Sequence, residues 1–227
     1  MIRQFIKKIF SGHGRQRTYP PYYQQYLASY QMPESKKSIE AQEIVVLDTE
    51  ASGLEPTQSQ LLSIGAIKIS NRSFCVDDAL VIHLPVGSNP SEAEVAIHGI
   101  IKEKNTALTI EEAMPQLLSY IGSAIVVGHH IAFDIALLNQ QLQNLGAGKI
   151  MNKTLDTAML CRRLDNPMQP QSLPGKEYKL DHLCKRFDIT PFARHTAEGD
   201  AYITGILFLK IINALSARGI NKIKDLL

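Results

Sequence analysis

From residue 44 onward the chain alternates between short apolar runs and longer stretches in which apolar residues return every three or four positions. IVVLDT (44–49), LLSIGAIKIS (61–70) and FCVDDALVIHLPV (74–86) are short, rich in β-branched residues and bounded by turn formers, so they predict three strands. Asn71-Arg72 supplies the turn between the second and third, and both connections are short enough for hairpins. Helical signals follow. Ser91 and Glu94 have capping-box spacing before a short apolar run, and Thr109 and Glu112 repeat it before AMPQLLSYIG. AIVVGHH (124–130) reads as a fourth, buried strand, and Thr154 to Asp156 as a short fifth. FDIALLNQQLQNLG (133–146) places apolar residues at 137, 138, 142 and 145 and stops at Gly146, as a helix does. KLDHLCKRF and TAEGDAYITGILFLKIINAL supply two further helices, the second long and mostly buried. Strands that first meander and then alternate with helices give an α/β domain with a mixed sheet.

Residues 1–42 differ from the rest. They mix basic residues with Phe5, Phe10, Tyr19, Tyr22, Tyr23, Tyr26 and Tyr30, are interrupted by Pro20, Pro21 and Pro33, and show no sustained period. This basic, Tyr-rich extension is expected to pack loosely on the domain. Its alternative use is contact with single-stranded nucleic acid, with cations for phosphates and aromatics for stacking. The domain proper is expected at 43–215, followed by a short helical tail at 216–227.

Composition narrows the function classes. At 227 residues and 44% hydrophobic content the chain can bury one substantial core and lies far from disordered composition. The longest apolar stretch, ITGILFLKII, is interrupted by Lys210 and too short to span a bilayer, and MIRQFIKKIF lacks an apolar signal-peptide core. No membrane role is expected. Cys75, Cys161 and Cys184 form neither a disulfide framework nor a zinc pattern, which fits a reducing, cytoplasmic setting. The net charge of +2 conceals an excess of five positive charges within residues 1–40, leaving the remainder at about −3.

The chemistry lies in carboxylates placed where apolar residues belong. Residues two apart on a strand share a face, so Asp48 and Glu50 project together at the carboxyl end of the first strand, where open α/β sheets place their ligands. Asp134 heads the apolar stripe of its helix, three and four residues before Leu137 and Leu138. Asp200 falls on the inward face of the long helix, in line with positions 197, 204, 208, 211 and 215. Singly, each is most simply a helix cap or a buried Asp satisfied by backbone N–H groups. Together they would repel one another, and no Lys or Arg adjoins them within the motifs. Divalent cations would neutralise them. All-oxygen donors favour Mg²⁺ or Mn²⁺ over zinc, and a pair of such ions suits phosphoryl transfer: one activates water and the other stabilises the leaving oxygen. His195, at the start of the same helix as Asp200, is placed to take the proton.

The series DTEASGL (48–54), IHGI (97–100), GHHIAFD (128–134), LDT (155–157), KLDHLC (179–184) and HTAEGDA (195–201) resembles the DEDDh group of 3′-to-5′ exonucleases. Within that group the likeness is to the proofreading (epsilon) subunits of bacterial DNA polymerase III, and it covers residues 43 to about 215. The resemblance implies a ribonuclease H-like fold, with five strands in a mixed sheet whose second strand is antiparallel. It implies that Asp48 bridges two metal ions, that Glu50 and Asp200 hold the nucleophile-side ion, that Asp134 holds the other, and that His195 is the general base. The product would be a nucleoside 5′-monophosphate released from a single-stranded DNA 3′ end. Thr49, Ala51 and Leu54 would lie against the terminal nucleotide, Leu54 as a wedge, with His98 and Phe133 lining the same pocket. Asp156 and Asp181 match positions with structural roles. Ala51 stands where the family usually has Thr, and His130 where it usually has Asn, which touches substrate detail rather than the five catalytic positions.

The C-terminus at Leu227 leaves no room for the polymerase-docking tail of the epsilon subunits, so a stand-alone or differently tethered nuclease is expected, with a replication or repair partner as the other arrangement. Two rival functions remain beside the DNA exonuclease. One is an RNA 3′-to-5′ exonuclease of the same superfamily, since the metal chemistry does not see the 2′-OH. The other is a non-catalytic nucleic-acid-binding module, against which four uncompensated carboxylates argue.

Overall fold

A computed structural model describes residues 18–34, 36–85 and 107–227. The Ser91–Glu94 capping signal, His98 and the first seventeen residues lie outside the described residues.

The three apolar runs expected as strands form β1 (Ile44–Ala51), β2 (Leu61–Ser70) and β3 (Ser73–His83). The β2–β3 hairpin turns on Asn71 and Arg72, both left-handed with φ of 49° and 62°, as a tight two-residue turn demands. Helix α2 (Ile110–Ile121) begins with the expected capping box: the Thr109 N–H donates to Glu112 Oε2 at 2.9 Å. Then come β4 (Ile125–Gly128), α3 (Ala132–Asn144), β5 (Thr154–Asp156), α4 (Thr157–Asp165), α5 (Leu180–Arg186) and the long α6 (Ala197–Ser216). The sheet order is β3-β2-β1-β4-β5. β1 pairs antiparallel with β2 and parallel with β4, and β2 is antiparallel to both of its neighbours, as the resemblance implies.

The alternation along β1 sorts the core into two layers. Ile44 and Val46 face α4, α5 and α6 together with Ile125, Val127, Leu207 and Phe208, while Val45 and Leu47 face α2 and α3 with Val126, Leu137 and Leu138. Both layers are necessary because the central strands are covered on both faces, which is why their sequences are almost continuously apolar.

Three features correct the sequence reading. The stretch up to residue 42 is not a loose arm throughout: Pro21–Ser29 forms helix α1, whose Tyr23 and Tyr26 are buried in the α2/α3 layer. The Tyr26 hydroxyl donates to Asn152 Oδ1 at 2.6 Å, and that of Tyr23 to the Lys149 carbonyl at 2.7 Å. Second, α4 was not expected; its N-cap is Asp156, the last residue of β5, which accepts from the N–H groups of Ala158 and Met159 at 2.8 and 3.2 Å. Third, the C-terminal tail packs as a single 3-10 turn (Ile223–Asp225) with Ile223 and Leu226 buried, and Arg163 donates to the Asp225 and Leu226 carbonyls.

Candidate active site

Even-numbered β1 residues point toward α6. Asp48 and Glu50 continue the Ile44–Val46 side past the end of the core, and Asp200 meets them from the first turn of α6. One oxygen from each of the three carboxylates falls within a set whose members all lie within 4.8 Å of one another. The approach depends on Gly65, which sits opposite Asp48 on β2. A Cβ built there would stand 2.2 Å from the Ala197 carbonyl carbon and 2.3 Å from the Glu198 nitrogen, so the N-terminus of α6 rests directly on the strand backbone. Beyond Glu50 the β1–β2 register shifts at Ala51, which ends regular pairing where the carboxylates emerge.

The start of α6 is wound tightly. Thr196 caps it by accepting from the Gly199 N–H at 3.1 Å, and its hydroxyl donates to the Ala193 carbonyl at 2.9 Å. Ala193 and His195 both take left-handed backbone angles, φ 48° and 62°. A side chain at Gly199 would meet the Ala193 carbonyl oxygen at 2.0 Å. This coil leaves His195 exposed at the entrance to the helix.

Odd-numbered β1 residues face α2 and α3, and Asp134, in the first turn of α3, meets the strand end at Thr49. It is 5% exposed, and its Oδ1 accepts two bonds from Thr49, from the N–H at 2.9 Å and the hydroxyl at 2.6 Å. Asp134 lies outside the close trio, yet its charge acts on Asp48 more strongly than that of Asp200 or Glu50. Thr49, expected against the terminal nucleotide, is buried, and its hydroxyl is engaged by Asp134. Leu54 is 96% exposed beyond the strand end; Ala51 and Phe133 are half-buried and pack against the α2/α3 core layer. His130 adopts φ 59° at the entry to α3, a conformation that Asn and His tolerate better than most residues, so it can fill the position at which the family usually has Asn.

Electrostatics follow from this crowding. Burial, then the negative charges of Asp134, Asp200 and Glu50, raise the Asp48 carboxyl well above the usual carboxylate range. Burial and then the charge of Asp200 push Glu50 up to about 7. Burial also raises Asp134, against the lowering effect of its two bonds from Thr49.

One cation does reach the cluster, contrary to the expectation from the motifs. Arg194 donates from Nη1 to Asp200 Oδ2 and from Nε to Asp181 Oδ1, the latter at 2.8 Å. Glu198, whose charge also acts on Glu50, adds a further buried oxygen, Oε2, without a hydrogen-bond partner. Neither residue was singled out for the site from sequence. The signal for Arg194 was present in its position directly before His195, but its partners lie 13 and 6 residues away and meet it only in the fold.

The donor set fits a hard divalent cation. It is all oxygen, its members converge, and Asp200 Oδ1 is buried with no hydrogen-bond partner, a cost that a metal ion would relieve.

Known proteins resemble this chain in sequence and fold. An exonuclease family model matches residues 45–208. The chain is 29% identical over 195 residues to the PolC-type DNA polymerase III of Caldanaerobacter subterraneus, covering 85% of this chain but only 13% of that polymerase. It is 29% identical to the DNA polymerase III epsilon subunit of Buchnera aphidicola, with 73% of this chain and 70% of that subunit covered, and 27% identical to the Aquifex aeolicus epsilon subunit, with 81% and 90% covered. Among solved structures, E. coli Exonuclease I bound to a dT13 oligonucleotide shares the fold with a TM-score of 0.65 at 16% identity, over 78% of this chain and 42% of that one.

Proposed function

The chain belongs to the exonuclease family matched over residues 45–208, and from that premise we propose that it hydrolyses single-stranded DNA from the 3′ end, releasing nucleoside 5′-monophosphates. The observation that carries this reading is the convergence of Asp48, Glu50 and Asp200, one oxygen from each within 4.8 Å of the others, with Oδ1 of Asp200 buried and unpartnered.

Asp48, Glu50 and Asp200 would hold divalent ions, Mg²⁺ or Mn²⁺, with Asp134 completing a two-ion site. When bound, the ions lower the pKa of water, offset the charge on the phosphate and stabilise the leaving oxygen. The protein's own part is positional. Thr49 fixes Asp134 by two hydrogen bonds, so that this carboxylate cannot turn away from the strand end. The α6 N-terminus places Asp200 in its first turn, where the helix dipole favours a negative charge. His195, exposed at the entrance to α6, would accept the proton of the attacking water, and the 3′-hydroxyl of the shortened strand is formed as the P–O3′ bond breaks. Leu54 offers an uncovered apolar surface against which a terminal base can rest.

Sequence resemblance to polymerase III epsilon subunits, together with the single-stranded oligonucleotide in the Exonuclease I neighbour, supports DNA as substrate and a replication or repair setting. Among the described residues no helix is long and apolar enough to cross a membrane. The test is product analysis with 5′- and 3′-labelled DNA and RNA oligonucleotides of matched sequence in Mn²⁺ or Mg²⁺. Mononucleotides released from the 3′ end of DNA are expected. Equal or faster cleavage of RNA would overturn the assignment of DNA, and no release with either ion would overturn the activity.

A further inference from the structure

Asp200 has two oxygens in opposite conditions. Oδ1 is buried without a hydrogen-bond partner, whereas Oδ2 accepts from Arg194. Among the described residues Arg194 is the one basic side chain paired with a member of that trio. The pair is well shielded, with 20% of the arginine side chain and 11% of the aspartate side chain exposed. It is also held in place. Asp181, from the first turn of α5, fixes Nε at 2.8 Å, and the backbone under Arg194 is pinned by the Thr196 bond to Ala193 and by the contact of Gly199. The guanidinium is thus a cation anchored from behind and aimed at the carboxylate that a divalent ion would need.

We propose that Arg194 is a resident counter-cation that competes with the divalent ion for Asp200 and thereby sets the metal affinity of the site. The inference rests on the metal-site reading above. Two consequences follow, and they have opposite signs. Without metal, the arginine offsets the repulsion among Asp48, Glu50 and Asp200, so the metal-free protein depends on it. With metal, the ion must share or displace the guanidinium, so removing the arginine favours the ion. A residue that merely braced the loop would lower both quantities when removed.

The experiment is Mn²⁺ titration of the full-length, chelator-stripped protein by calorimetry, beside thermal melting in chelator, for wild type, Arg194→Gln and Arg194→Lys. For Arg194→Gln the expected result is a roughly tenfold lower Mn²⁺ dissociation constant, the scale of one charge contact at a partly shielded site, with a lower melting temperature in chelator. Arg194→Lys keeps the charge but cannot span Asp181 and Asp200 with a planar fork, so its affinity should fall between the other two. Unchanged or weaker Mn²⁺ binding by Arg194→Gln, while wild type binds, overturns the proposal. So does an Arg194→Lys protein that binds more weakly than wild type, which keeps the test decisive if Arg194→Gln does not fold. Absence of Mn²⁺ binding in wild type itself would instead overturn the metal-site reading, and the inference with it.

Discussion

Replacing Gly65 by alanine tests whether the site is built by backbone contact. Gly65 lies opposite Asp48, and an added Cβ would stand 2.2 Å from the Ala197 carbonyl carbon, 2.3 Å from the Glu198 nitrogen and 2.4 Å from the Ala197 oxygen. All three are main-chain atoms, so no rotamer change relieves the clash. Restoring ordinary van der Waals separation, about 3.4 Å, moves the first turn of α6 away from β2 by roughly 1.2 Å. Asp200 moves with that turn, while Asp48 and Glu50 stay on β1, and the trio that now lies within 4.8 Å spreads. Overpacking of this kind costs about 1–3 kcal/mol of stability. A displacement of about 1 Å in a reacting constellation costs on the order of 100-fold in rate. The assay is initial rate on a labelled single-stranded DNA oligonucleotide, with the Mn²⁺-induced rise in melting temperature measured in parallel and circular dichroism confirming the fold. Gly205→Ala is the control, because its Cβ would meet the Phe74 ring at 2.5 Å, a side chain that can turn, and should lower stability while sparing most activity. Wild-type turnover and an undiminished Mn²⁺ shift in Gly65→Ala would refute the claim that this contact positions Asp200.

Two further outcomes follow from the same geometry. Burial and the charge of Asp200 push Glu50 up to about 7 in the metal-free protein, so the folded state binds its proton more tightly than the unfolded chain. That contribution to stability is full below about 4.5 and is lost as pH rises through about 7. Half-buried His129 acts in the opposite sense between about 4 and 6.5, because desolvation and the charge of His130 depress its ring. The effect is therefore read as the difference between wild type and Glu50→Gln in chelator: the variant should gain on wild type from pH 5 to pH 8, and a constant difference would refute it. His195→Ala should lower turnover by about 10²- to 10⁴-fold, the usual contribution of a general base, with the Mn²⁺-induced melting shift retained; turnover within tenfold of wild type would remove His195 from the mechanism.

What the sequence made legible was whatever depends on local period. β1, β2 and β4 announce themselves because each is built on a short apolar run, and Asp48 and Glu50 share a face because strand residues two apart must. What escaped was set by residues serving two elements at once. Asp156 ends β5 and caps α4, so the helix had no start signal separate from the strand before it. Pro20 and Pro21 were read as breakers of an arm, but Pro21 opens α1, where proline's fixed φ suits the first turn. The site followed the same division. The trio was readable from face and period, whereas the tie between Asp134 and β1 was not, because it runs through the N–H and hydroxyl of Thr49. Arg194 was the least legible member: beside a histidine it reads as surface, and only the packing of α5 against α6 brings both Asp181 and Asp200 to it. An acidic motif read along the chain therefore understates the positive charge at its own site. A cation supplied from tertiary structure leaves no mark on the spacing of the carboxylates, and it is that cation which any entering metal ion must meet.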